Sequence, residues 1–277
     1  MYARQICWSF GRLGEYMKLY LSSVLEHCEK RVLEGKPLDA VWDFPNLNIL
    51  LSYAYARDDL AYLYPMCKSF LMDSGAFTIM NAKKRTKGKD FDIKQFAKEY
   101  ATYVKKHNVK EFLELDIDSV FGFDTYVDCL HIVQDITGMD PIPVFHDWRG
   151  KDYFIELTKK KKRIAFGGVA AGITRDFSRS YLHWFADVAH ENGCKLHALG
   201  VTDPMLLRKC AFDSCDSSSW TAGLRFGTLY YFNGHECINY DSGRNTCPPG
   251  MQISRECTYT NGREEWTKFA QYLESEL

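Results

Sequence analysis

Short apolar runs alternate along this chain with stretches whose apolar residues recur every three or four positions. The runs at Asn48–Tyr55, Ser69–Met72, Glu111–Leu115, Ile142–Phe145, Ile164–Phe166, Lys195–Leu199, Ala211–Cys215 and Phe226–Phe232 read as strands. Each is short, rich in branched or aromatic residues and bounded by turn formers. Between them Asp92–His107, Asp124–Ile136, Asp152–Lys160, Asp176–Asn192 and Asp203–Lys209 carry a helical pattern, and Glu264–Leu273 closes the chain as another helix. Asp92 is placed to cap a helix whose apolar face is Ile93, Phe96, Tyr100, Tyr103 and Val104, and Gly138 and Gly193 stop two others.

Strand–helix alternation at this spacing predicts parallel strands joined by crossover helices. About eight strands favour an α/β fold of the (β/α)8 TIM-barrel type, although a doubly wound open sheet has the same local pattern. Residues 1–277 are expected to form one domain. Leu13–Leu33 reads as helical, so roughly residues 1–45 are expected to be a helical N-terminal extension. From about 235 to 260 the chain is rich in Gly, Cys, Asn and Pro and reads as a loop insertion. No apolar run approaches 18 residues, so no membrane span is expected.

Composition refines this picture in three places. The 15% aromatic content suits a large core, with nucleobase stacking as the functional alternative. A formal net charge of −1 gives no global attraction to nucleic acid, so any such binding needs a local basic patch. The ten cysteines are scattered; Cys129, Cys194, Cys210 and Cys215 fall in apolar stretches, and the start Met1-Tyr-Ala-Arg lacks a secretory pattern. A reduced, cytoplasmic setting is therefore expected.

A parallel barrel carries its chemistry at the C-terminal ends of its strands. Read in order, those ends offer Asp73, Asp116 with Asp118, His146 with Asp147, Gly167-Gly168, Gly200 and Asp216. One aspartate after a strand is commonly a helix cap. Three of them, with a histidine and a double glycine, suit glycosidic chemistry. One carboxylate can attack an anomeric carbon, a second can move a proton, and a third can accept hydrogen bonds from a purine-like edge.

Five segments carry a family resemblance. Asp73-Ser74-Gly75-Ala76-Phe77 resembles the Asp-Ser-Gly-Gly-Phe motif of the tRNA-guanine transglycosylases (queuine tRNA-ribosyltransferases), and Leu115-Asp116-Ile117 their base-recognising segment. Gly167-Gly168-Val169-Ala170-Ala171-Gly172 is similar to their Gly-Gly-Leu-Ala-x-Gly, and Leu199–Pro204 to their Gly-Val-x-x-Pro turn. Phe212–Trp220 stands where the nucleophilic aspartate is carried. The order is kept across roughly 150 residues. The run Cys215-Asp216-Ser217-Ser218-Ser219-Trp220, with Arg225-Phe226-Gly227, departs from the family's Pro-Thr-Arg and looks more like the DNA-acting branch, the 7-deazaguanine DNA transglycosylases of phages and bacterial modification clusters.

The resemblance implies an enzyme, a pentosyltransferase that replaces guanine in DNA with a free 7-deazaguanine base, in a bacterial or phage-infected cytoplasm. It implies Asp216 as nucleophile, with Asp213 as a rival three residues earlier, and Asp73 as the acid/base. Ser74, Asp116, His146, Gly167 and Gly168 would bind the base, while Asp118 would support from the side of the following helix. The basic run containing Lys83, Lys84, Arg85 and Lys87 follows the Asp73 turn and could meet phosphates; Lys159–Arg163 precedes a strand and reads as solubilising. The family's zinc knuckle is absent, since Cys237, Cys247 and Cys257 stand ten apart with His235 nearby, so no cofactor or metal is expected. The alternatives are a tRNA-acting enzyme, a non-catalytic nucleic-acid-binding partner subunit, and a barrel hydrolase of small glycosides or nucleosides.

Overall fold

A computed structural model describes residues 17–25, 41–76, 78, 91–168, 178–201, 212–240 and 254–275. Among them, seven parallel strands form one curled sheet: β1 (Lys18–Ser22), β2 (Asn48–Ser52), β3 (Ser69–Asp73), β4 (Val144–Phe145), β5 (Arg163–Phe166), β6 (Lys195–Ala198) and β7 (Ser214–Ser217). Their order is β3-β2-β1-β7-β6-β5-β4. The helices of the connections are α1 (Ile93–Lys106), α2 (Asp118–Phe121), α3 (Phe123–Thr137), α4 (Lys151–Lys160) and α5 (Ser178–Glu191). After β7 come α6 (Ala222–Phe226), an antiparallel hairpin of β8 (Leu229–Phe232) and β9 (Cys237–Tyr240), and α7 (Arg255–Ser275).

The two edge strands meet one short segment. Met72 of β3 bridges Phe112, and Leu113 bridges Ile142 just before β4, both in parallel sense. Leu113 N–H donates to the Met72 carbonyl at 2.8 Å, and Ile142 N–H to the Phe112 carbonyl at 2.8 Å.

Both faces of the sheet are buried, which is why its strands read as near-continuous apolar runs. One face presents Tyr20, Leu50, Leu71, Leu113, Val144 and Ala165, packed together as a compact inner cluster. The other presents Leu19, Leu21, Ile49, Leu51, Phe145, Ile164, Phe166 and Leu196 to the helices. Phe185 of α5 shows how tightly that layer closes, with its ring centroid 5.4 Å from Phe145 and 4.9 Å from Phe166. As expected, the Asp92 side chain caps α1 by accepting from Gln95 N–H at 2.9 Å, and Gly138 ends α3 in the left-handed conformation.

Four expectations need correction. Lys18–Ser22 is a central strand, not part of a helical extension: Leu19, Tyr20 and Leu21 are all fully buried, so successive side chains face opposite apolar layers. The rest of that stretch lies largely outside the described residues. Glu111–Leu115 contributes single bridges rather than a full strand. Phe226–Phe232 is not a further strand of the parallel sheet; it splits into the end of α6 and β8, which pairs with β9. The expected insertion at 235–260 has regular ends, in β9 and at the start of α7, with 241–253 outside the described residues. Helix α7 is longer than the pattern suggested because it packs on the turn after β7. A Cβ at Gly262 would come within 2.4 Å of the Trp220 carbonyl oxygen, so only glycine permits that approach. The Asp203–Lys209 helix falls outside the described residues.

Candidate active site

Parallel pairing brings the C-terminal ends of the strands to one side of the sheet, and the alternation along each strand decides which side chains face inward. Tyr20 pairs with Asp216 and with Asn48, and His197 with Ser214, so all of these belong to the inner face. Asp216 is therefore an inner-face residue, while its neighbour Cys215 sits in the outer core. Asp216 is only 9% exposed. Its Oδ2 accepts from the Ser22 hydroxyl at 2.7 Å, and its Oδ1 from Gly200 N–H at 2.7 Å. Asp213 is differently employed. It accepts from Leu196 N–H at 2.6 Å and pairs with His190 at 3.0 Å, at the opposite end of β7.

Asp73 ends β3 and accepts from Gly75 N–H at 3.0 Å. Gly75 has a φ of +70°, and a Cβ there would lie 2.7 Å from Ala54 N, so the Asp-Ser-Gly sequence is what allows this turn. Burial pushes the Asp73 carboxyl up to about 6, with the negative charges of Asp216 and Asp116 adding to the rise. Three carboxylates from β3, β7 and the 111–118 segment thus share one region. Ser74 is buried and directs its hydroxyl back to Ala76 N–H at 3.5 Å, a turn contact.

Asp116 and His146 form a pair, with Nε2 of the ring 2.8 Å from each carboxylate oxygen. An ionised carboxylate only accepts, so that nitrogen carries a proton. Gly167 makes room for the ring: a Cβ there would stand 2.6 Å from His146 Cε1. The double glycine thus serves a side chain as well as any ligand, and Gly168 adopts a φ of +82°. Trp148 stacks on His146 with planes 18° apart and is itself 58% exposed.

Beneath this pair is a buried ionic network that the residue pattern did not single out. Arg149 donates to Asp118 Oδ2 through Nε at 2.9 Å and Nη2 at 2.7 Å, and lies 3.8 Å from Glu114. Glu114 also accepts from Tyr126 Oη and from Val144 N–H. Burial pushes its carboxyl up to about 7, against the lowering effect of these donors and of Arg149. Asp118 opens α2, on the helix side of Asp116.

Arg163 corrects the reading of the second basic run. It opens β5 at the N-terminal end of the sheet, but it is no solvated charge. Its guanidinium reaches inward to Glu111 at 2.7 Å, Ser214 Oγ at 3.2 Å and Tyr20 Oη at 3.4 Å. Lys83, Lys84, Arg85 and Lys87 lie outside the described residues. So does Cys247; Cys237 points its thiol at the Glu265 carbonyl. No helix among the described residues is long and apolar enough to cross a membrane. A cavity of about 320 Å³ lies elsewhere, on the outer face of α1 beside Tyr53, Asp58 and Lys106, and is not lined by Asp73, Asp116 or Asp216.

Sequence reasoning missed Ser22, His197, Glu114 and Arg149. Inner-face alternation along Lys195–Leu199 would have flagged His197, whereas Ser22 was hidden by the helical reading of its strand. No protein-family model matches the chain, and no curated protein matches it in sequence.

Proposed function

We propose that this chain exchanges a nucleobase in a polynucleotide, DNA in preference to tRNA, replacing guanine by a 7-deazaguanine through a covalent aspartyl–sugar intermediate. The observation that carries this reading is the shared region of Asp73, Asp116 and Asp216 at the C-terminal ends of the strands, close enough for the latter two to raise the first. The five motif resemblances to the transglycosylases support it, and the Cys215–Trp220 run with Arg225-Phe226-Gly227 favours the DNA-acting branch. We read the sheet as a closed (β/α)8-type barrel. In support, the parallel bridges at Phe112 and Leu113 join the two edge strands through an eighth strand position.

In the exchange, the target guanosine is flipped out at a cost of a few kcal/mol that pocket contacts must recover. The Asp216 carboxylate attacks C1′; the C1′–N9 bond breaks, and the departing guanine takes a proton from the Asp73 carboxylic acid. The sugar is then held as an ester. An incoming 7-deazaguanine loses its N9 proton to Asp73, and the freed electron pair forms the new C1′–N9 bond as Asp216 leaves. Two displacements retain configuration and need no redox cofactor or nucleotide triphosphate. Asp116 receives the N–H edge of the base. Its oxygens keep lone pairs beyond those engaged by His146. Lys83, Lys84, Arg85 and Lys87 would meet the backbone phosphates.

A pH dependence tests these roles. The polynucleotide half-reaction needs Asp73 protonated, so its kcat/KM should fall as pH rises through about 6. The base half-reaction needs Asp73 ionised, so kcat/KM for the free base should rise with pH. Its limb should lie below that of the first, because the esterified Asp216 no longer opposes ionisation of Asp73. Steady-state kinetics between pH 5 and 8 with each substrate limiting would reveal this. Limbs of the same sign for both substrates would refute the assignment of Asp73.

A further inference from the structure

One buried group on the inner face is left without a hydrogen-bond partner at the very place where the proposed nucleophile sits. His197 of β6 is fully buried, and among the described residues its Nε2 meets no partner at hydrogen-bond distance. That nitrogen lies 3.5 Å from Asp216 Oδ1. On the other side of the ring, Nδ1 stands 2.8 Å from Ser214 Oγ, which also accepts from the Arg163 guanidinium at 3.2 Å. The ring is further held by Tyr20, which meets it edge-on with centroids 5.6 Å apart.

The protons can be placed from this chain. Arg163 only donates, so it occupies a lone pair of Ser214 and leaves the hydroxyl hydrogen to be spent elsewhere. Ser214 is 3% exposed, and Nδ1 of His197 is the acceptor beside it. Nδ1 is then bare. Desolvation lowers the pKa of the ring and so favours its neutral form, in which the one hydrogen sits on Nε2 because Nδ1 accepts from Ser214. The opposite tautomer would leave a buried hydroxyl hydrogen unspent and turn a lone pair toward a carboxylate, and both cost free energy.

We propose that His197 is a positioning residue for the nucleophile: its Nε2–H and the Gly200 N–H together grip Asp216 Oδ1, leaving Oδ2, which accepts from the rotatable Ser22 hydroxyl, to attack. This rests on the base-exchange reading of the site. In the first step Oδ2 forms the bond to C1′ and Oδ1 becomes the ester carbonyl oxygen. In the second step the C1′–Oδ2 bond breaks, its electron pair returns to the carboxylate, and the two N–H groups receive the charge shared onto Oδ1. Catalytic hydrogen bonds are often long in a resting protein and tighten only in the complex with substrate.

The test compares His197→Gln, whose amide N–H can take the place of Nε2–H, with His197→Phe, which keeps a ring and loses the donor. His197→Phe should lower kcat by about a hundredfold with little change in KM for DNA, as for removal of one oxyanion donor. His197→Gln should recover most of the rate. Ser214→Ala, which keeps the ring but frees its tautomer, should fall between them and covers the case in which His197→Phe does not fold. Nitrogen-15 NMR of the labelled wild-type protein should show His197 as the neutral Nε2–H form. An Nδ1–H form, or equal losses for His197→Gln and His197→Phe, would overturn the proposal. The tautomer is read without any substrate, so absence of exchange by the wild-type protein would remove the parent reading, while the NMR result would still decide the geometry at His197.

Discussion

Replacing Asp216 by Asn is expected to lower base exchange by more than about 10⁴-fold while leaving the fold intact, the size of loss seen when a covalent nucleophile is removed. The fold should survive because the amide oxygen can still accept from Gly200 N–H, and the Ser22 hydroxyl can turn to accept from the new amide hydrogens. What is lost is the electron pair that attacks C1′. A protein–polynucleotide adduct that resists denaturation should be trapped with the wild-type chain and be absent from Asp216→Asn. Asp213→Asn is the matched control. Asp213 faces away from the inner cluster, tied to Leu196 and His190, so its loss should reduce stability and leave the adduct. An adduct retained by Asp216→Asn and lost in Asp213→Asn would move the nucleophile by three residues.

The second large effect is on stability. Arg149→Met should destabilise the protein by about 3–5 kcal/mol, because it strands the charge of Asp118 and leaves Glu114 without its nearby cation. Their side chains are 3% and 2% exposed, so solvent cannot replace the guanidinium. Against a total of about 5–15 kcal/mol, urea unfolding would register this easily. The double variant Arg149→Met with Asp118→Asn should regain part of the loss. A pH signature follows from Glu114, whose folded-state pKa is raised to about 7 from an ordinary value of 4.5. A carboxyl raised in this way favours the folded state at low pH, and that contribution disappears as pH climbs through about 7. Without Arg149 the charged form is still less favoured, so the stability of the variant should fall more steeply over that window.

Much of the α/β organisation was legible because a parallel sheet covered on both faces writes itself as short apolar runs between capped helices. Asp92, Gly138 and Gly193 mark their boundaries directly. β1 was not legible, since Leu19-Tyr20-Leu21 is buried on both sides and shows no period of two among leucines that mimic a helix. The hairpin of β8 and β9 was missed for a related reason: β propensity does not say which sheet a strand joins. At the site, Asp73, Asp116, His146 and Asp216 were legible as strand-end residues. Their partners were not. Ser22 and Asp216 are 194 positions apart, and Arg163 looked like surface charge until the curl of the sheet carried it to Tyr20, Ser214 and Glu111.

Base exchange at a polynucleotide can be read as incorporation of labelled guanine. Purified protein would be incubated with labelled guanine and, in parallel, duplex DNA, single-stranded DNA or tRNA, and the recovered polymer counted. Label is expected to enter DNA, more than tRNA, and to be chased out by an unlabelled 7-deazaguanine such as 7-cyano-7-deazaguanine. Efficient labelling of tRNA alone would contradict the preference for DNA. Failure to label any polynucleotide, with the protein folded and Asp216 intact, would contradict the exchange itself.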